Sequence, residues 1–317
     1  MIALPRLGMG TAALGNLYRP VSDEQAAETL SAAFDAGIRY FDTAPHYGFG
    51  LAEERLGRAL AGRSDVIVST KVGRLLAPIA NGEGERHGFV DARPFEPVFD
   101  YSHDGVLRSL ESSLGRLGRD RVDILFAHDI GALTHGEGHE AMLAQFLDGG
   151  YSALCRLRDE GVVDAIGIGV NEVAICLDLI DRVELDVILL AGRYTLLDRA
   201  AADRLLPACL DRGIRIVVGG PYNSGILARP LAAATDPRFD YAPAPADMLA
   251  RARAMEAECL RAGASLPQAA LQFPLRHPAV AAVIPGMASP AEVADNVARL
   301  SDHVPEPLWD ALSEACS

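Results

Sequence analysis

Short, nearly unbroken apolar runs alternate along this chain with longer stretches in which apolar residues return at helical spacing. The short runs predict strands at 7–11, 40–42, 66–71, 122–127, 165–169, 187–190, 215–218 and 281–284. They lack the in-out alternation of a half-exposed sheet, as expected for parallel strands covered on both faces. The helical patterns fall at 23–36, 52–60, 104–117, 140–160, 172–182, 200–211, 248–262 and 290–300. Ser22 with Gln25 resembles a capping box before the first helix, and Gly37 is placed to stop it. Eight strand–helix units in alternation predict the α/β class and a closed (β/α)8 TIM barrel, with an open doubly wound sheet as the alternative. No low-complexity linker divides the chain, so residues 1–317 read as one domain. The stretches 72–99 and 219–247 are too long for ordinary barrel loops. Both follow strands, which puts them over the barrel mouth as lids or substrate walls; the plainer reading is a tolerated surface insertion. The shorter irregular segment 129–138 is also expected to border the mouth.

Composition narrows the function. Half of the residues are hydrophobic, yet no run approaches the length of a charge-free membrane span. The N-terminus, MIALPRLGMGT, lacks the basic-then-apolar order of a secretory signal. A cytoplasmic protein with no membrane partner is expected. The net charge of -14 argues against general nucleic-acid binding but leaves room for an anionic cofactor held by a local field. Cys155, Cys176, Cys209, Cys259 and Cys316 form no CxxC pair and read as reduced packing residues, with no metal site implied.

The chemistry gathers at strand ends. Asp42 and Tyr47 lie in FDTAPHYG, Lys71 ends DVIVSTK and His128 follows VDILFA. In a barrel of alternating strands and helices, residues past the C-terminal strand ends converge on one mouth. A carboxylate, a phenol, an ammonium and an imidazole there suggest a tyrosine acid/base with a lysine beside it, suited to proton transfer coupled to hydride transfer at a carbonyl or alcohol. Each residue alone has a plainer role: Asp42 as a turn brace, Tyr47 as mouth packing, Lys71 as a solvated strand end, His128 as a structural histidine. Their order, each at a strand end, favours the catalytic set. His46 either lines the pocket or is structural. No GxGxxG follows a strand, so a Rossmann dehydrogenase is not supported and a cofactor would lie across the mouth.

The segment GIRYFDTAPHYG, the following EERLG, the STK and the strand ending in His together resemble the aldo-keto reductase superfamily over nearly the whole chain. LLAGRYTLLDR and PYNSGILA are most similar to the bacterial L-fucose or D-threo-aldose 1-dehydrogenases. The resemblance implies Tyr47 as general acid/base, with Lys71 lowering a phenol pKa that is otherwise about 10. It implies Asp42 pairing with Lys71 and His128 orienting the substrate oxygen. For a nicotinamide cofactor it implies Gly10, Thr11 and Asp42 at the first contact, Asn171 on the carboxamide, and Gly219 and Pro221 alongside. At usual family contact positions this chain has Val170 for serine, Ala191 for glutamine and Gly219 for the aromatic that stacks on the ring; Tyr222 is the nearest aromatic substitute. IPGMASPAEVADN resembles the phosphate and adenosine site, with Gly286, Ser289, Glu292, Asp295 and Asn296 as contacts. Ser289, Pro290 and Glu292 also read as a simple helix cap. With no basic residue from 286 to 292, Glu292 favours NAD over NADP by repelling a 2′-phosphate. In the opposing reading Glu292 only caps, and Arg299 or a loop arginine reaches the phosphate. The implied substrate is a monosaccharide oxidised in its cyclic form to the lactone, its hydroxyls met by His46, Tyr47, Arg74, His128 and Asn223. Alternatives are pyridoxal or another small carbonyl compound, and a nucleotide-binding regulatory subunit of the potassium-channel β type, which the intact tetrad disfavours.

Overall fold

The computed structural model describes residues 2–80, 82, 84–233 and 236–315; Cys316 lies outside them. Among the described residues the strands are β1 (Met9–Gly10), β2 (Tyr40–Asp42), β3 (Ile67–Val72), β4 (Arg74–Pro78), β5 (Phe95–Phe99), β6 (Ile124–His128), β7 (Ala165–Val170), β8 (Val187–Ala191), β9 (Arg215–Gly219), β10 (Arg238–Phe239), β11 (Ala242–Pro243) and β12 (Val280–Ile284). Eight form one parallel sheet in the order β1-β2-β3-β6-β7-β8-β9-β12. Its two ends meet: Leu7 bridges Val283 and Gly10 bridges Gly286. Gly8 N donates to Val283 O at 2.9 Å, and Val283 N to Arg6 O at 2.9 Å. The sheet is a (β/α)8 TIM barrel, and the open doubly wound alternative is ruled out.

Along each strand, successive side chains alternate between two apolar clusters. Tyr40, Ile124, Phe126, Leu189, Val217 and Ile284 fill the barrel, while Phe41, Val68, Leu125, Ile188 and Val218 pack outward with the helices. This period of two decides which polar residues enter the barrel. On β3, Ser69 and Lys71 share the inner face, between Val68 and Val72 on the outer one.

The helices are capped much as expected. Ser22 accepts from Gln25 N before helix Asp23–Asp35, and Ser102 caps helix His103–Leu117. The helix predicted over 140–160 is interrupted by a π-helical segment, Phe146–Gly150. There a Cβ on Gly150 would lie 2.1 Å from Tyr101 O. The pattern at 200–211 gives a helix only from Leu205 to Arg212. Both long loop stretches carry hairpins, β4–β5 and β10–β11, and 129–138 contains the short helix Ala132–His135. Cys176, Cys209 and Cys259 are buried free thiols and Cys155 is partly buried. No helix among the described residues is long and apolar enough to cross a membrane.

Candidate active site

The centre of the mouth is an ion pair taken almost wholly out of water. Lys71 Nζ donates to Asp42 Oδ2 at 2.7 Å and to Thr43 O at 2.9 Å, and Ser69 Oγ donates to Asp42 Oδ1 at 2.7 Å. A buried pair is tolerable only when the remaining lone pairs and protons also find partners, and Ser69 and the Thr43 carbonyl meet that need. Room for the lysine stem comes from β7: a Cβ on Gly169 would sit 3.3 Å from Lys71 Cε. Thr11 braces the carboxylate's backbone, donating through Oγ1 and N to Asp42 O, each at 2.9 Å.

Tyr47 stands on the turn after β2, its ring 4.6 Å from Lys71 Nζ. The turn requires glycine next: Gly48 has φ 63, and a Cβ there would fall 2.4 Å from Gly15 O. His128 ends β6, its ring 6.2 Å from that of Tyr47. Asp129 follows in a left-handed conformation, φ 49, its Oδ2 3.4 Å from His128 Nε2. Arg74, the first residue of β4, pairs with the same carboxylate. Tyr101 locks this corner by donating to His128 O at 2.6 Å. His46 completes the wall, 6.1 Å from His128 and 5.4 Å from Phe89 between ring centres, so the 72–99 stretch does border the mouth.

The electrostatics correct one expectation. Tyr47 is held well above the ordinary phenol pKa, chiefly by burial, then by the Asp42 and Asp129 carboxylates, with Arg74 opposing. Lys71 was expected to lower it, but its ammonium is engaged by Asp42 and the Thr43 carbonyl. Burial and the Arg74 cation hold His128 and His46 well below the usual imidazole range, so both are neutral. His46 Nδ1, His128 Nδ1 and Arg74 Nε are buried without a partner in the protein. Unmade buried hydrogen bonds are costly, so this corner is built to receive polar atoms from a ligand.

The opposite arc of the mouth is bare backbone. A Cβ on Gly192, Gly220 or Gly286 would meet nothing closer than 3.8 Å. This open floor at the ends of β8, β9 and β12 fits a flat coenzyme laid beside Tyr47. Gly10 and Gly219 lie at the ends of β1 and β9 on the same arc, with the buried Pro221 just beyond. Asn171 follows β7. The helix Pro290–Ser301 begins beyond Gly286, where helix amides favour phosphate.

Other predicted contacts are already engaged. Ser289 caps that helix by accepting from Glu292 N at 3.2 Å. Glu292 accepts from Ala288 N at 2.7 Å and from Arg19 Nη2 at 3.2 Å, so a loop arginine does reach this segment. Asn296 is buried, donating to Glu292 O at 2.7 Å and accepting from Tyr222 OH at 2.6 Å. Both side chains brace the helix, and Tyr222 is not free to stack on a nicotinamide. Asp295 lies exposed beside Arg299. Asn223 receives the Thr195 hydroxyl at 2.5 Å and donates to Gly192 O at 3.2 Å, so its amide ties loops together and is not open to substrate. Ser69 and Asp129 were missed in the sequence, although Ser69 shares the strand face of Lys71 and Asp129 directly follows His128. Arg19 left no sequence signal.

Residues 6–315 match the aldo/keto reductase family. The chain is 42% identical over 322 residues to pyridoxal 4-dehydrogenase of Microbacterium luteolum, covering 98% of this chain and 94% of that one. It is 40% identical over 322 residues to D-threo-aldose 1-dehydrogenase of a Pseudomonas species, covering 99% and 94%. The solved holo form of an aldo-keto reductase from Bacillus halodurans superposes with a TM-score of 0.74 at 25% identity, covering 98% of this chain and 92% of that one. The chain belongs to the aldo/keto reductase family, the nicotinamide-dependent oxidoreductases built on this barrel.

Proposed function

We propose that this protein oxidises an aldose, in its cyclic hemiacetal form, at the anomeric carbon to the lactone, with NAD as hydride acceptor. The observation that supports this most is the Tyr47 phenol beside the buried Asp42–Lys71 pair, facing a corner of neutral imidazoles and unpaired polar atoms. Bound coenzyme would supply the two-electron acceptor. The protein's part is the proton. Tyr47, as phenolate, takes it from the anomeric hydroxyl while the C–H bond at the same carbon gives up its electron pair as hydride, leaving a C=O. Neutral His128 orients that oxygen, and Arg74 and His46 meet the other hydroxyls.

A second reading is favoured by the similarity to pyridoxal 4-dehydrogenase. Pyridoxal carries a hydroxymethyl group beside its aldehyde and closes the same kind of cyclic hemiacetal, so Tyr47 would do the same work. The lining supports the sugar: Arg74, Asp129, His46 and His128 match hydroxyls better than a flat aromatic ring. Comparing kcat/KM for pentoses, hexoses and pyridoxal tests the choice. An aldose is expected to lead; a higher value for pyridoxal puts the second reading in its place.

The preference for NAD rests on Glu292, whose charge also ties up Arg19. Glu292→Gln keeps the acceptor for Ala288 N and releases Arg19. The ratio of NADP to NAD affinity is then expected to rise on the order of fivefold at low salt, about 1 kcal/mol, the worth of one solvent-exposed ionic contact. Titration of the ligand-free protein with both coenzymes measures it, and an unmoved ratio removes Glu292 from coenzyme choice.

A further inference from the structure

The hairpin β10–β11 turns in two residues, Asp240 and Tyr241, with Phe239 paired to Ala242. Both turn residues have positive φ, 50 and 65, the signature of the I′ hairpin turn, whose second position strongly prefers glycine. A tyrosine there holds a strained backbone, and such strain collects at functional sites. Tyr241 N is fixed by the Ser224 hydroxyl at 2.8 Å, and Ser224 is itself left-handed, φ 59.

One arginine pins this turn to the mouth. Arg193 Nη2 donates to both carboxylate oxygens of Asp240 at 2.9 Å, Nε to Asn171 O at 2.5 Å and Nη1 to Asp198 Oδ2 at 3.2 Å. The end of β7 and the tip of the hairpin are thereby held together by one planar group, the task for which a guanidinium is suited. Tyr241 as a residue is 53% exposed. Arg193 brings this turn beside Asn171 at the end of β7, and the Tyr241 phenol lies near the Asn171 side chain, Tyr47 and Asp129. The side chain is thus open to solvent and adjoins the catalytic corner.

We propose that Tyr241 is a specificity residue whose phenol hydrogen-bonds a hydroxyl of the bound substrate, and that Arg193, acting through Asp240, is the residue that positions it. The proposal rests on the reading of this mouth as an oxidoreductase site. Asn171 is the residue that the family resemblance assigns to the coenzyme's carboxamide. A coenzyme bound there competes for Asn171 and leaves the Tyr241 phenol for the substrate.

The test uses the whole enzyme and whichever compound the wild type turns over fastest in a screen of aldoses, pyridoxal and small aldehydes. Tyr241→Phe is expected to raise KM about fivefold with kcat within about twofold, the pattern of a lost hydrogen bond to bound substrate. Tyr241→Gly suits the turn, so its Tm should be equal to or above that of the wild type while KM rises further. Arg193→Met should raise KM with Tyr241 intact. The affinity for NADH, read from its fluorescence on binding the ligand-free protein, should stay unchanged or tighten slightly in both Tyr241 variants, because the phenol no longer competes for Asn171. Unchanged KM in Tyr241→Phe and Tyr241→Gly overturns the proposal. So does weakened NADH binding with KM unmoved, which would put the ring on the coenzyme instead. If the fastest compound forms no cyclic hemiacetal, the reading of the reaction fails, while the shift in KM still decides the role of Tyr241.

Discussion

Tyr47 keeps its proton because burial, Asp42 and Asp129 all oppose a phenolate, while Arg74 favours one. Oxidation needs the phenolate, so its rate should climb with pH through the neutral range. The signs for two neighbours follow. Asp129 raises the phenol pKa, so Asp129→Asn should move the rising limb of kcat/KM to lower pH. Arg74 lowers it, so Arg74→Met should move the limb to higher pH. Profiles of both variants check this, and shifts of the same sign, or none, contradict the arrangement. At this scale the tetrad was legible because each member ends a strand or follows one directly. For Asn223 and Asn296 the sequence could not show the partner, because a side-chain amide looks alike whether it meets a ligand or a neighbour. Only the fold shows that Thr195 and Gly192 take one, and Tyr222 and Glu292 the other.

Among the elements, the barrel strands were readable because burial on both faces leaves an unbroken apolar run. The β4–β5 hairpin was not, since RLLAP and FEPVF each carry a proline and lie in a polar, glycine-rich stretch. The helices Leu266–Gln272 and Glu306–Glu314 are too short for periodicity to stand out. The glycine of EERLG is explained by packing. Gly57 lies inside helix Leu51–Leu60, where alanine would normally gain about 1 kcal/mol from helix propensity. Here a Cβ would lie 2.5 Å from Leu117 O, a backbone atom of the neighbouring helix that cannot easily move aside. Overpacking of about 1–3 kcal/mol should win. Gly57→Ala is therefore expected to lower the urea midpoint with m unchanged, and a raised midpoint would mean the helices separate more freely than their packing indicates.

For the molecule as a whole, the buried corner makes stability depend on pH. Burial holds His128 well below its unfolded value, with Arg74 and Lys71 adding to the effect. The unfolded chain therefore binds a proton that the folded chain refuses. The His128 contribution is intact above the unfolded pKa of about 6.5 and is lost as pH falls below it, at up to about 1.4 kcal/mol per pH unit. Asp129, whose carboxyl is raised by burial, acts in the opposite sense at lower pH, so a variant comparison is needed to isolate the histidine. Between pH 7 and 5.5, wild type should lose more unfolding free energy in urea than His128→Gln does. Equal losses would show that the imidazole protonates freely in the folded state.

The most direct measurement pairs product identity with the loss of one oxygen atom. Wild type and Tyr47→Phe are incubated with NAD and a panel of aldoses and pyridoxal, following NADH by absorbance and the organic product by NMR. The expected result is a lactone formed in equal amount with NADH by the wild type. In the variant, kcat should fall at least on the order of 10²-fold, with NADH affinity nearly unchanged. Near-wild-type turnover by Tyr47→Phe, or no lactone from any cyclic hemiacetal, would contradict the assignment of this mouth.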